Sequence, residues 1–565
     1  MADESDRFDL IIAGAGPVGM TLAHIVGASG LKVLVVEQLD TLIDYPRGVG
    51  MDDECLRTFQ AIGLADKVVE HTSPHQWMEF RTAKGKTLAL IRPQANLFGW
   101  PRRNAFIQPL VDKVLFEGLT RYPNVQIAFS TELVSFDQDA TGVQVELKTA
   151  DGPLRRVRCS YFVGCDGGRS LVRKSLGISF EGQTEATRWI VVDLEQDPVA
   201  IPNTILVCDP SRPFVSIALP HGVRRLEFMV MPGETDEELT SPKGLHGLLA
   251  RVMPDPESAH VIRSRVYTHH ARIAETFRKG RVLIAGDAAH LMPVWQGQGY
   301  NTGIRDATNL GWKLVEVLKG RSSGALLDTY TLERRDHAKA MIWISTTAGR
   351  IFSPTNKALA ATRDILFSLS NWIPPLKSYI VQMRFKPMPS YENGAIVPGR
   401  GPARAVVGRL FIQPQVRRPD GLALLDDVIG NGFAIVSWAV DPWVYMSEEA
   451  RRIWQRLDAK IIVVRPDSEF GLSAGSVGDH AEIVGDPTLA LKDWFALSRI
   501  SLVVLRPDRF VAAAGGPQDI SALLEALAKT LCTTPETEPV ASSASDRRSA
   551  LALTREPLEG TAGGV

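Results

Sequence analysis

The sequence predicts an α/β protein: a nucleotide-binding type of domain assembled from separated stretches of chain, an antiparallel sheet inserted into it, and a second, smaller α/β domain behind. Three observations predict this. An apolar run, Phe8 to Ala13, passes through the turn Gly14-Ala-Gly16-Pro-Val-Gly19 into a helical pattern from about Pro17 to Gly30. Far downstream, after a strand-rich interval, the chain resumes the same style with an apolar strand, Arg281 to Ala285, and the segment Gly286-Asp287-Ala-Ala-His290. Past Pro398 the character changes again, and short apolar strands alternate with helices.

The opening unit has the strand, tight turn and helix order that a dinucleotide needs. Gly14 allows the turn, Gly16 lets backbone approach a pyrophosphate at the helix N-terminus, and Gly19 lets helix and strand pack closely. The next strand, Leu31 to Val36, ends in Glu37, a carboxylate placed to accept hydrogen bonds from a ribose diol. Gly142 to Thr149 alternates apolar and polar residues, turns at Ala150-Asp151-Gly152 and returns through Leu154 to Cys159, a hairpin leading to the buried strand and glycine turn Tyr161 to Gly168. Trp189–Leu194, Pro213–Leu219 and Arg225–Met231 read as strands of the inserted sheet. A helix is expected from about Asn301 to Lys319, and further helices from Leu332 to Met388, interrupted by Pro354 and Pro374-Pro375. Gly408–Gln413, Phe433–Trp438, Lys460–Val464 and Ile500–Leu505 read as strands of the last domain. The expected division is therefore a discontinuous first domain (1–75, 102–185 and 277–345), an inserted domain (76–101 and 186–276), a helical connection (346–397), a last domain (398–532) and a tail (533–565), whose Ser, Thr, Ala, Glu and Gly predict disorder.

Composition narrows the function classes. The charges sum to −1 over 565 residues, and Lys and Arg are scattered, so neither a nucleic-acid surface nor a membrane partner is expected. Arg155-Arg156-Val157-Arg158 reads as a solvated strand or turn. The five cysteines, Cys55, Cys159, Cys165, Cys208 and Cys532, contain no CxxC pair, which argues against a disulfide framework or a metal site and for reduced thiols in the cytoplasm. The polar N-terminus and the early glycine turn fit neither a signal peptide nor a membrane span.

Taken in order, Gly14 to Gly19, Gly164-Cys-Asp166-Gly-Gly-Arg-Ser-Leu-Val-Arg173, and Gly286-Asp287-Ala-Ala-His290 with Pro293 and Gly297-Gln-Gly299-Tyr-Asn301 resemble the motifs of the single-component FAD-dependent aromatic hydroxylases, the family built like p-hydroxybenzoate hydroxylase. The resemblance implies a Rossmann-like FAD-binding domain, with Asp287 accepting from the ribityl hydroxyls and backbone at Gly297 and Gly299 lying against the isoalloxazine. The helix beginning near Asn301 then turns its positive end toward the pyrimidine edge, where charge accumulates on reduction. It also implies that Arg47 and Gln108 hold FAD, and that Asp166 serves both FAD and reduced nicotinamide. His290 reads as a structural hydrogen-bonder, and an Arg47 ion pair with Asp52 or Asp53 is the bland alternative for that arginine.

Asp44-Tyr-Pro-Arg47, Phe98 to Pro109, Arg188 to Asp193, Arg225 to Gly233 and Pro293 to Gly299 resemble the branch of this family that acts on 3-hydroxyphenyl-propanoid acids. That implies NADH as reductant, O2 as co-substrate, hydroxylation ortho to the phenol, and a role in aromatic catabolism. The same flavin chemistry on another phenol (a hydroxybenzoate or a polyketide) and a non-hydroxylating flavin redox sensor are the alternatives. The substrate carboxylate wants a cation, and Arg225 leads Arg188 and His221 as candidate in the inserted sheet, where the resemblance places substrate-facing residues; Arg224 and Arg225 cannot both face one side of a strand. Trp295 is a candidate to pack on the phenol ring, and Tyr267, His269 and His270 to take its proton. The last domain, including Leu502 to Val511, resembles the thioredoxin-like appendage of phenol-hydroxylase relatives. Without a CxxC it is expected to serve packing or homo-oligomer contacts rather than redox exchange.

Overall fold

The computed structural model describes residues 6–149, 152–472 and 477–533. Its first sheet has eight strands around Arg7–Ala13, which pairs in parallel with Val33–Val36 on one side and Leu154–Gly164 on the other. Val125–Ala128 extends it beyond Val33–Val36, and Val282–Ile284 beyond Leu154–Gly164, both in parallel. Six of the seven side chains of this central strand are at least half-buried, as expected of a parallel strand covered on both faces. Two helices, Pro17–Gly27 and Gln298–Leu318, pack against each other over it. Sequence-distant segments thus build one core, the first strand touching residues more than 140 positions away.

The second sheet, also eight-stranded, runs in the order His290–Leu291, Val261–Ala274, Phe180–Leu194, Arg224–Met229, Phe214–Ala218, Thr204–Val207, Met78–Arg81, Thr87–Ile91. Register fixes what it shows to the interior. One row of paired residues is Ile217, Arg225, Asp193 and Arg263; the next is Leu206, Val215, Glu227, Val191 and Arg265; a third is Met229, Trp189 and Tyr267. Five of these twelve residues are charged and the other seven are aliphatic or aromatic.

The third sheet orders Gly421–Leu424, Gln415–Arg418, Glu482–Asp486, Lys460–Pro466, Ala434–Trp438, Leu502–Leu505, Val511–Gly515. Ala434–Trp438 and Lys460–Pro466 are parallel, joined through the helix Glu448–Arg456, and the last two strands form an antiparallel hairpin followed by Ile520–Thr530. Between the second and third sheets in sequence lie the helices Asp328–Phe352, Lys357–Ser370 and Pro374–Val381, and Pro374 starts the last of these because a helix's first position needs no N–H.

One expected strand is absent. Gly408–Gln413 makes only single bridges, Arg409 to Ser390 and Leu410 to Phe510, and threads between neighbours as irregular chain. Its apolar residues are buried by the last core rather than by pairing, with Phe411 fully enclosed. The turn residues Ala150 and Asp151 and the tail from 534 onward lie outside the described residues; Thr533 bridges to Ser322.

A buried charge cluster ties the last domain to the first. Glu333, on Asp328–Phe352, accepts from both terminal nitrogens of Arg506 at 2.7 and 2.9 Å, from Lys313 at 2.8 Å and from Asn309 at 2.7 Å. Arg506 also pairs with Asp508, and Arg57 forks onto Asp426 at 2.6 and 2.8 Å.

Candidate active site

A cavity of about 1220 Å³ lies between the first two sheets, lined by the Gly16–Val18 turn, residues 45–52, Asp166, Asp287, residues 297–301 and the interior face of the second sheet. It exceeds the ~300–1,000 Å³ of a single small-ligand pocket.

The cofactor end is built from backbone. Gly14 sits at φ +107°, and a Cβ there would meet the Cys165 carbonyl oxygen at 2.4 Å; at Gly19 a Cβ would meet the Gly14 oxygen at 2.1 Å. Both are places where chain passes over chain with no room for a side chain. Gly16, by contrast, is open and lines the cavity. Glu37 accepts from Ala15 N and Leu39 N, each at 3.0 Å, so it braces the glycine turn from its half-buried site behind the lining. The helix Gln298–Leu318 starts at Gly297, which is left-handed (φ 61°) and has no side-chain cap, and its first turn lines the cavity. Uncapped N–H groups at the end of a long helix suit an anionic or electron-rich ligand edge.

The predicted polar residues divide into those facing the cavity and those holding its walls. Asp287 extends into the cavity and accepts no hydrogen bond from any described residue, and enclosure by protein raises its carboxyl above the usual range. Asp166 Oδ2 accepts from Val172 N at 3.0 Å, while its buried Oδ1 has no partner. Arg47 lines the cavity with its guanidinium 5.7 Å from the Tyr45 ring centroid, and its proximity lowers that phenol's pKa. The expected alternative, an Arg47 ion pair with Asp52 or Asp53, does not form: Asp52 is buried against Arg305 and Lys386. Gln108 spends its amide on the loop, accepting from Arg47 N and Gly48 N and donating to Asp112 at 3.0 Å. Asn301 likewise ties Gly50 O and Gly297 O to Asp52 N. Pro293 and Gly286 stand behind the lining, and His290 is buried on Asp306 at 2.6 Å, the structural role expected of it. An orphaned buried acid oxygen, an unpartnered carboxylate, bare glycine backbone and an open helix end fit FAD.

At the other end Trp295 meets Trp189 edge-on at 4.9 Å between ring centroids, and His269 lies parallel to Trp189 at 6.2 Å. Burial holds His269 near pKa 4, so it is neutral, and its Nε2 has no partner. Tyr267 donates to Glu227 Oε2 at 3.1 Å. Burial pushes the Glu227 carboxyl up, and burial beside Glu227 pushes the Tyr267 phenol up. Glu227 was not among the residues expected from sequence, although it alternates with Arg225 between the buried Leu226 and Phe228, a visible sign that both face one side.

Arg225 lines the cavity as expected, but Nε and one terminal nitrogen fork onto Asp193 at 2.8 and 2.9 Å, and the latter also reaches Pro46 O. Its charge is neutralised within the wall. Arg224 points to the opposite side, onto Asp197 and Ile201 O. Arg188 pairs with Asp236 and His221 with His71, both away from the cavity, whereas His270 lines it and contacts Thr184.

Sheet order, bare glycine turn and open helix end define a flavin-dependent aromatic hydroxylase, and the comparisons agree. The FAD binding domain family model matches residues 7–345, and the chain belongs to that family. A model described as the HcaD C-terminal domain matches residues 408–530. The chain is 52% identical over 524 residues to a 3-(3-hydroxy-phenyl)propionate/3-hydroxycinnamic acid hydroxylase of Escherichia coli O81 (strain ED1a), covering 93% of this chain and 94% of that protein. A protein of the same description from Shigella sonnei (strain Ss046) is 51% identical over the same coverage. Among solved structures, the flavin-dependent monooxygenase PieE, in complex with FAD and substrate, superposes with TM-score 0.78 at 22% identity, covering 93% of this chain and 99% of that one. Aklavinone-11 hydroxylase, with FAD and aklavinone, gives 0.74 at 24% identity over 94% and 100%. These two share the fold.

Proposed function

We propose that this FAD-dependent hydroxylase uses NADH and O2 to hydroxylate 3-(3-hydroxyphenyl)propionate, and 3-hydroxycinnamate, ortho to the phenol, giving 3-(2,3-dihydroxyphenyl)propionate. The observation that carries the reading is a cavity whose end away from the glycine turn sets aromatic and aliphatic side chains beside a hydrogen-bonding group, Tyr267, Glu227 and His269, in a chain 52% identical to hydroxylases of that description. When bound, FAD supplies hydride acceptance and O2 activation; the protein supplies the rest. Trp189, Trp295, Leu206, Val215 and Ile217 orient a ring and exclude water. Tyr267, its own proton committed to Glu227, presents an oxygen lone pair to a phenol hydroxyl, and a more electron-rich ring is the better nucleophile. For cofactor contacts we assign Gly16, Arg47, Asp166, Asp287, Gly297 and Gly299 to FAD directly, with Gly14, Gly19, Glu37, Gln108, Gly286, Pro293 and Asn301 shaping the path of the chain around it.

Three finer readings go with this. The sheet order and the helix placements of the last domain support a thioredoxin-like unit without redox chemistry. The division of the chain at 76–101 and 186–276 is supported by two strands from the first of these stretches joining the second sheet. A cytoplasmic protein without nucleic-acid or membrane partners is supported by the scattered charges and by the absence, among the described residues, of a helix long and apolar enough to cross a membrane; exposed Leu366, Leu369 and Trp372 support a homo-oligomer.

The test is NADH consumption by FAD-loaded protein in air with 3-(3-hydroxyphenyl)propionate, quantifying catechol and hydrogen peroxide together. Near-equal NADH and catechol is the expected outcome. Rapid NADH loss yielding mostly hydrogen peroxide assigns the site to another phenol, and no substrate-dependent rate overturns the reading.

A further inference from the structure

Resting on that reading, we propose that Arg103, rather than Arg225, anchors the carboxylate of the phenolic acid. Most cations around the cavity are already committed. Arg225 is forked onto Asp193, Lys386 onto Asp52, and Arg272 onto Phe180 O and Thr184. Arg102 reaches Gln382 O and lies 4.0 Å from Asp53. Arg47, Arg263 and Arg265 gather around the Tyr45 ring, where Arg47 and Arg265 are exposed to solvent, and Arg169, on the Asp166 turn at the cofactor end, is exposed as well.

Arg103 differs from all of these. Among the described residues its guanidinium makes one hydrogen bond, from Nε to Gln76 O at 3.3 Å, and no carboxylate among them lies within ion-pair distance. Burial lowers its pKa to about 10 with no acid to offset the cost. A guanidinium left this way binds a carboxylate on two parallel N–H groups and recovers what its desolvation cost.

Its surroundings hold it in place. Gln76 N donates back to Arg103 O at 3.1 Å, and the Gln76 amide is itself fixed, donating to Ala218 O at 2.6 Å and accepting from Thr204 Oγ1 at 3.1 Å. Arg103 lines both the main cavity and an adjoining one of about 420 Å³, which it shares with Gln76 and Arg102. Thr204 and Ile217 stand at this end of the second sheet; Trp189, paired with Tyr267, stands at the other. Leu206 and Val215 line the cavity in the row between these two ends, and an acid on a short chain meta to a phenol offers a group to each. A phenol without the acid keeps only the hydroxyl corner.

Binding to the FAD-loaded protein, followed by calorimetry, tests the assignment with two ligands: 3-(3-hydroxyphenyl)propionate and its uncharged analogue 3-propylphenol. Arg103→Met is expected to weaken the acid roughly 30-fold or more while changing 3-propylphenol less than about threefold, and Arg103→Lys to fall between. Flavin content reports whether each variant is folded. If it is folded and the acid binds to Arg103→Met as to the parent, the Arg103 assignment is overturned while the functional reading stands. If the parent itself does not prefer the acid to 3-propylphenol, no carboxylate is read in this cavity, and the assignment and the proposed substrate class fall together.

Discussion

Glu227 is the residue on which the chemistry of the hydroxyl corner turns. Its carboxyl titrates above the usual glutamate range because burial disfavours the charged form, and only the ionised form can take the Tyr267 proton. Activity should therefore fall with decreasing pH through a limb lying above the ~4.3 of a free glutamate. Glu227→Gln should lower kcat about 100-fold at neutral pH and abolish that limb, read from a pH profile of catechol formation. A profile unchanged from the parent would leave Tyr267 or His269 acting without it. At this scale the sequence was partly legible. Gly14, Asp287 and Trp295 announced themselves through local pattern, but the pairing of Arg225 with Asp193 needs two strands brought into register, which no local pattern encodes. Residue type and strand alternation point to Arg225 as the carboxylate ligand, and neither shows the Asp193 that occupies it.

Among the elements, the opening strand, turn and helix were legible because everything that shapes them is contiguous. The structure separates two glycines that the motif alone treats alike. Gly19→Ala forces a methyl against the Gly14 oxygen and should cost the protein ~1–3 kcal/mol or more, seen as a lower Tm with FAD present or absent. Gly16→Ala meets nothing in the protein, so the FAD-free Tm should hold while FAD affinity drops, measured by flavin fluorescence titration. Equal behaviour of the two variants would contradict the distinction. The misread element, Gly408–Gln413, shows the converse. Its apolar residues signal burial correctly, but burial came from packing under the last sheet, and strand-like sequence does not make a ladder without a partner edge.

At the scale of the whole molecule the decisive feature is the cluster around Glu333, which joins helices of the first domain to the last. Lys313, Arg506, Asp508 and Asn309 come from segments up to 199 positions apart, so the sequence showed charged residues and gave no hint that they meet in the interior. Removing the central anion leaves buried Lys313 without its ion-pair partner and Arg506 with Asp508 alone. Glu333→Gln is expected to destabilise by ~3–5 kcal/mol, measured by urea unfolding, with the last domain loosened first in limited proteolysis. An unchanged midpoint would mean that water or rearrangement compensates the cations.

The cysteines acquire a meaning from where they sit. Cys55, Cys159 and Cys208 are buried, and Cys165 lines the cavity itself. Burial raises the thiols of Cys159 and Cys208 to about 12 and those of Cys55 and Cys165 well above the ordinary range. Only the thiolate reacts readily with oxidants. Hydrogen peroxide escaping an unproductive turnover therefore meets protonated thiols at these four positions, the form least prone to oxidation, even where sulfur lines the chamber in which O2 is handled.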